Sequence, residues 1–180
     1  RISAPIATRP KLSDGYDTGL GDINIFDVFL LKSKGVKLGI GPLITMNSAS
    51  QDELGSGKWQ AGLSAVAVKD STQGILGGLL QWQKSFAGDN DRIDVQTLTF
   101  QPFAFYNLPQ GWYVRSSAVM TYNLENDDYY VPVGLGMGRA WKGHNKVFNA
   151  FIEPQWTVAH EGEGEPKFTL FAGLNITFMQ

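Results

Sequence analysis

Phe148-Asn149-Ala150-Phe151-Ile152-Glu153-Pro154-Gln155-Trp156-Thr157-Val158-Ala159-His160 alternates in polarity over almost its whole length. Phe148, Ala150, Ile152, Pro154, Trp156 and Val158 fall on one side of a two-residue period, and Asn149, Glu153, Gln155 and Thr157 on the other. Successive side chains of an extended strand point to opposite faces, so this is a strand with one apolar and one polar face. It is also long, because strands of soluble proteins most often have about 5 or 6 residues, whereas a tilted strand crossing a bilayer needs roughly 9 to 11. Trp156 lies on the same face as Phe148. At about 3.3 Å per residue and a tilt near 40°, the two rings stand roughly 20 Å apart, close to the ~25 Å band between the aromatic girdles of a membrane barrel.

Outward from that stretch the pattern recurs. In the final segment Phe168, Leu170, Ala172, Leu174, Ile176 and Phe178 oppose Lys167, Thr169, Gly173, Asn175 and Thr177. Noisier alternation runs through Ile23–Lys32, Val36–Met46, Trp59–Lys69, Ile75–Phe86, Ile93–Asn107, Trp112–Asn123 and Tyr129–Trp141, with a short strand at Ile2–Thr8. Alternation is imperfect around Leu76–Leu80 and Leu98–Tyr106, as expected for strands covered on both faces, which leaves room for a filled interior. Trp112, Tyr113, Trp141 and Phe178 are assigned to one aromatic girdle, and Trp59, Phe86, Tyr129 and Tyr130 to the other. No segment carries a capped helical stripe.

The connections alternate in length and charge. Ser33–Gly35, Asp70–Gln73, Leu108–Gly111 and Lys142–Asn145 are short. Arg9–Gly21, Asn47–Lys58, Gly88–Arg92, Leu124–Asp128 and Glu161–Pro166 are longer or more acidic, and this second set holds twelve of the 17 acidic residues. Up-and-down threading through a membrane produces such an alternation, with short periplasmic turns and longer external loops.

Composition agrees. Charged residues make up 18% of the chain and apolar ones 43%, against roughly 25% charged in an ordinary soluble protein. With no cysteine, disulfides, thiolate metal sites and a cysteine nucleophile are excluded. A net charge of -2 and the absence of a basic cluster argue against nucleic acid. No apolar run is long enough for a membrane-spanning helix. The expected fold is therefore all-β: one domain over residues 1–180, an antiparallel up-and-down transmembrane β-barrel with nine or ten strands. A water-soluble barrel or sandwich is the alternative, distinguished by having its apolar side chains inside.

Glu53-Leu-Gly-Ser-Gly-Lys-Trp59 and Gln101-Pro-Phe-Ala-Phe-Tyr-Asn-Leu-Pro-Gln-Gly-Trp-Tyr113, with Gly19-Leu-Gly-Asp22, Ser85-Phe-Ala-Gly-Asp89 and Val131-Pro-Val-Gly-Leu-Gly-Met-Gly138, resemble a family of proteobacterial outer-membrane barrels labelled neuromedin U-like proteins or putative transporters. The likeness runs from about Gly19 to the C-terminus. It implies location in a Gram-negative outer membrane, contact with outer-membrane lipids and lipopolysaccharide, and further N-terminal strands completing a barrel of about 12, since single-chain bacterial barrels have even strand numbers.

Charged and amide side chains within the strands are the candidate functional groups, because a lipid-facing charge costs a few kcal/mol near the midplane and belongs in the lumen. Arg115, Glu153, Gln155, Gln81, Gln83 and Lys37 are the expected pore-lining residues, acting either as selectivity groups or as a polar network filling a narrow interior. The only histidines, His144 and His160, have no metal-ligand spacing. His160, on the apolar parity near the outer rim, supports a lipid-hydrolase reading only if a nucleophile and an orienting group meet it. Gly55-Ser56-Gly57-Lys58 lacks the earlier glycine and the following helix of a phosphate loop. The functional expectation is a narrow, selective porin-like channel or transporter for a small solute of unknown identity, with no cofactor, metal or catalysis. Its alternative is a non-conducting structural or partner-binding barrel.

Overall fold

A computed structural model describes residues 1–10, 15–31, 35–162 and 165–178. Its fifteen strand segments fall into ten consecutive antiparallel strands. Strand β1 comprises Ile2–Ser3 and Ile6–Pro10, and β2 comprises Tyr16–Leu20, Asn24–Phe26 and Phe29–Leu31. Then follow β3 (Lys37–Thr45), β4 (Lys58–Ser71), β5 (Gly74–Gly88) and β6 (Gln96–Asn107). Strand β7 is interrupted, as Trp112–Ser116 and Met120–Asn123, and so is β8, as Tyr129–Gly134 and Gly136–Gly143; β9 (Lys146–Glu161) and β10 (Phe168–Phe178) complete the sheet.

Each strand pairs with its sequence neighbours. The longest ladders run from Lys58↔Gly88 to Ser71↔Gly74 between β4 and β5, and from Lys146↔Phe178 to Trp156↔Phe168 between β9 and β10. Tight turns set these registers. Thr72-Gln73 joins β4 to β5, and His144-Asn145 joins β8 to β9 with Asn145 at φ 66°, a left-handed conformation that asparagine tolerates and two-residue hairpins require. The long loops gather at the opposite end of the sheet.

The faces are sorted in the inverse of a soluble core. Trp156, Leu170 and Ile176 are 51%, 55% and 46% exposed, while Glu153 is 0%, Ser64 0%, Gln60 3% and Gln155 8% exposed. Apolar side chains cover the convex face and polar ones the concave face, opposite to the water-soluble alternative. The sheet curls far enough that Ser3 of β1, Asn24 of β2, and Thr169 and Phe171 of β10 line one chamber. Among the described residues no hydrogen-bonded pair joins β1 to β10.

Several expectations are corrected. Arg9–Gly21 is not one long loop, because Tyr16–Leu20 pairs with Ile6–Pro10; residues 11–14 lie outside the described set. The turn at Ser33–Gly35 also falls largely outside it, as do residues 163–164 of the last loop. Ile93 is exposed loop, and its strand begins at Gln96. Tyr113 and Tyr130 do not join the outward aromatic bands: Tyr113 is buried and bonded to an inward asparagine, and Tyr130 lines the chamber. Trp112, Trp141, Phe178, Trp59 and Phe86 are exposed, in keeping with the bands.

At the loop end Asp22 fastens residues 46–57 to the sheet. Its Oδ2 accepts from Ser56 N (2.7 Å) and Ser56 Oγ (2.8 Å), and its Oδ1 from Ser48 N and Ala49 N (both 3.2 Å). Arg92 donates to the carbonyls of Asp52 (2.8 Å) and Gly55 (2.7 Å). The Ser56 donors of the glycine-rich loop are thus consumed internally.

Candidate functional site: a latched interior

The interior is organised by β8, whose sequence Gly134-Leu135-Gly136-Met137-Gly138 puts glycines inward and large apolar side chains outward. A Cβ on Gly136 would fall 2.6 Å from the Glu153 Cβ, and one on Gly138 2.3 Å from the Tyr113 ring. With no side chains in the way, groups from β7 and β9 meet across the intervening strand. Tyr113 Oη donates to Asn149 Oδ1 at 2.6 Å, and one tier further in Arg115 Nε donates to Glu153 Oε2 at 2.7 Å.

Every acceptor site of the Glu153 carboxylate in this tier is filled. Glu153 Oε2 also accepts from Ser117 Oγ (2.8 Å), while Oε1 accepts from the Ser117 backbone N–H (2.8 Å) and Gln155 Nε2 (3.0 Å). Arg115 Nη2 donates to Ser117 Oγ at 2.5 Å. The guanidinium lies 3.7 Å over the Phe151 ring, with Phe105 and Phe171 at 5.3 and 5.4 Å. Burying an ion pair costs several kcal/mol per ion, about offset only when geometry is good and the remaining lone pairs are bonded. Four hydrogen bonds to one carboxylate and an aromatic cage around its cation meet that condition. The same bonds explain why β7 breaks: the Ser117 N–H turns from the ladder to Glu153, and the Ser117 carbonyl accepts Gln101 Nε2 at 2.9 Å.

Two cavities flank this tier. One of about 420 Å³, toward the short turns, is lined by Arg115, Tyr113, Asn149, Phe105, Phe151 and Asn175 among others. The other, about 570 Å³ and toward the long loops, receives Gln81, Thr99, Gln101, Ser117, Gln155 and Phe171 among others. The tier, called the latch below, contributes Arg115 to the first and Ser117 and Gln155 to the second.

Of the sequence-derived candidates, Arg115, Glu153 and Gln155 form one cluster. Gln81 donates to Ser64 Oγ at 2.9 Å, and Gln83 accepts from Thr45 Oγ1 at 2.9 Å, both on the concave face. Lys37 stands apart at the short-turn rim, its side chain 65% exposed and paired with Asp70. At the other rim Lys58 lies 3.0 Å from Asp94 and, by hydrogen bond and charge, holds that exposed carboxyl below its ordinary range. His160 is exposed, opposite Tyr130 in the ladder, and His144 occupies the exposed β8–β9 turn. Among the described residues no group of three or more metal-ligating side chains comes together.

Ser117, Phe105, Phe151, Phe171 and the β8 glycines are the parts of the site that the candidate set omits. Their signal is present in the sequence, because Phe151 and Phe171 occupy the polar parity of strands that otherwise alternate cleanly. An aromatic ring on a polar parity marks something inside for it to cover. Compared with known proteins, the chain matches no family model and no curated protein.

Proposed function

We propose that the chain is a bacterial outer-membrane barrel that admits a small solute along a narrow interior whose barrier is the Arg115–Glu153 tier. The observation that carries this reading is the inverted sorting of the sheet: an apolar convex face suited to lipid around a hydrogen-bonded polar concave face with a chamber on each side of one ionic contact. The motifs resembling outer-membrane barrels labelled as putative transporters support the same reading, as does the separation of short turns from long acidic loops. A barrel of ten to 12 strands would have an interior between the filled eight-stranded case and the open channel of about 16 strands.

Single-channel recording in planar bilayers tests it. Small, selective conductance that rises when Arg115 and Glu153 are both replaced by alanine is expected. The complete burial of Glu153 favours a second reading, a barrel blocked for good and used for structure or partner binding. No conductance from either the native protein or the double variant selects that second reading, and large unselective native conductance excludes a latched interior.

A further inference from the structure

The chamber on the loop side has a lining unlike that of the latch. Gln81, Gln101 and Gln155 each donate an amide nitrogen to the wall, at Ser64 Oγ (2.9 Å), the Ser117 carbonyl (2.9 Å) and Glu153 Oε1 (3.0 Å). Those anchors fix the three amide planes. None of the three side-chain carbonyl oxygens takes part in a hydrogen bond with the described residues, and each amide nitrogen keeps a second hydrogen. Thr99, Thr169 and Tyr130 also line the chamber, the hydroxyls of the last two bonded to each other at 3.5 Å, and Phe171 supplies an aromatic surface. Among the described residues of the lining Arg1 is the one charged side chain, and its guanidinium lies 6.0 Å over the Phe26 ring, whereas Glu153 is spent on Arg115.

We infer that this chamber binds a small, uncharged, polyhydroxylated solute of the sugar or polyol class. Anchored amides offer both donors and acceptors at fixed positions, which match hydroxyl groups that are themselves both donors and acceptors. An aromatic face takes the C–H side of such a molecule. A cationic solute gives up hydration here and meets no carboxylate free to receive it, since Glu153 is spent on Arg115; an anionic one meets only Arg1, whose guanidinium lies against the Phe26 ring. The volume of about 570 Å³ lies in the range of small-molecule sites, about 300–1,000 Å³. This inference deepens the conduit reading and rests on it for the passage of the solute, but binding itself needs no passage.

Saturation-transfer NMR on the protein in detergent micelles, with glucose, glucuronate and glucosamine in parallel, separates charge from shape. Glucose is expected to bind, glucosamine to bind at least about tenfold more weakly, and glucuronate to bind no tighter than glucose. Gln81→Leu with Gln101→Leu is expected to weaken glucose binding roughly tenfold, the scale of one or two lost hydrogen bonds. Thr169→Val, nearly unchanged in volume, serves as the second variant should the double one not fold. Equal binding of all three sugars, tighter binding of glucuronate, or glucose binding that neither variant weakens overturns the inference. Glucose uptake by proteoliposomes distinguishes the two readings: binding without uptake discards the conduit and keeps the site, and uptake without variant-sensitive binding does the reverse.

Discussion

The latch and the chamber above it share a wall, yet they solve the problem of buried polarity in opposite ways. Around Arg115 and Glu153 every bonding site of the carboxylate is taken by protein and both charges are paired. In the chamber the glutamines are held by one end only, and their carbonyls are left to whatever fills the space. A closed network specifies one arrangement, whereas a half-anchored neutral lining leaves hydrogen-bonding groups open to a guest.

The largest expected effect breaks the latch. Glu153→Ala leaves a buried guanidinium without its carboxylate and is expected to lower stability by about 3–5 kcal/mol, read from urea unfolding in detergent. Replacing both partners, Arg115→Met with Glu153→Leu, should recover most of that loss, because the cost lies in the orphaned charge. If the single and double variants are equally unstable, the ion pair is not what holds this tier together.

A smaller effect is expected where the tier is supported from below. Gly138→Val drives a side chain into the Tyr113 ring, and overpacking of this kind costs about 1–3 kcal/mol. Loss of the Tyr113–Asn149 bond should appear as a change in the near-ultraviolet circular dichroism of tyrosine. A native spectrum and melting temperature for this variant would show that β8 does not need its bare inner face.

The smallest effect belongs to the rim. Asp94 has its pKa lowered by Lys58, so its contribution is present above the unfolded aspartate value of about 3.9 and is lost as pH falls through the lower folded value. Native protein and Asp94→Asn should therefore differ slightly in melting temperature at neutral pH and converge below about pH 4. Exposure and salt keep the difference small. A gap that widens toward acid pH would reverse the assigned sign.

Most of the strand layout is legible in the sequence because period-two alternation in β9 and β10 is nearly unbroken, and Arg115, Glu153 and Gln155 follow from parity alone. The break in β7 is not legible, since it arises from a contact between residues 36 positions apart: Ser117 yields its N–H to a carboxylate on another strand. Lys37 shows the limit of parity, which gives a face but not a depth, and at the end of β3 a side chain on the inner parity reaches the rim and Asp70. Tyr130 and Tyr113 follow the same logic in reverse, as aromatic residues read by type but placed by parity.

The diverted Ser117 amide has one more consequence. A peptide hydrogen held by a carboxylate instead of a carbonyl senses that carboxylate directly, so its chemical shift and exchange rate report the state of the Arg115–Glu153 tier from within the backbone. Were Glu153 to leave this position, this single amide would lose its partner while the ladders on both sides stayed paired, so the tier carries its own spectroscopic indicator.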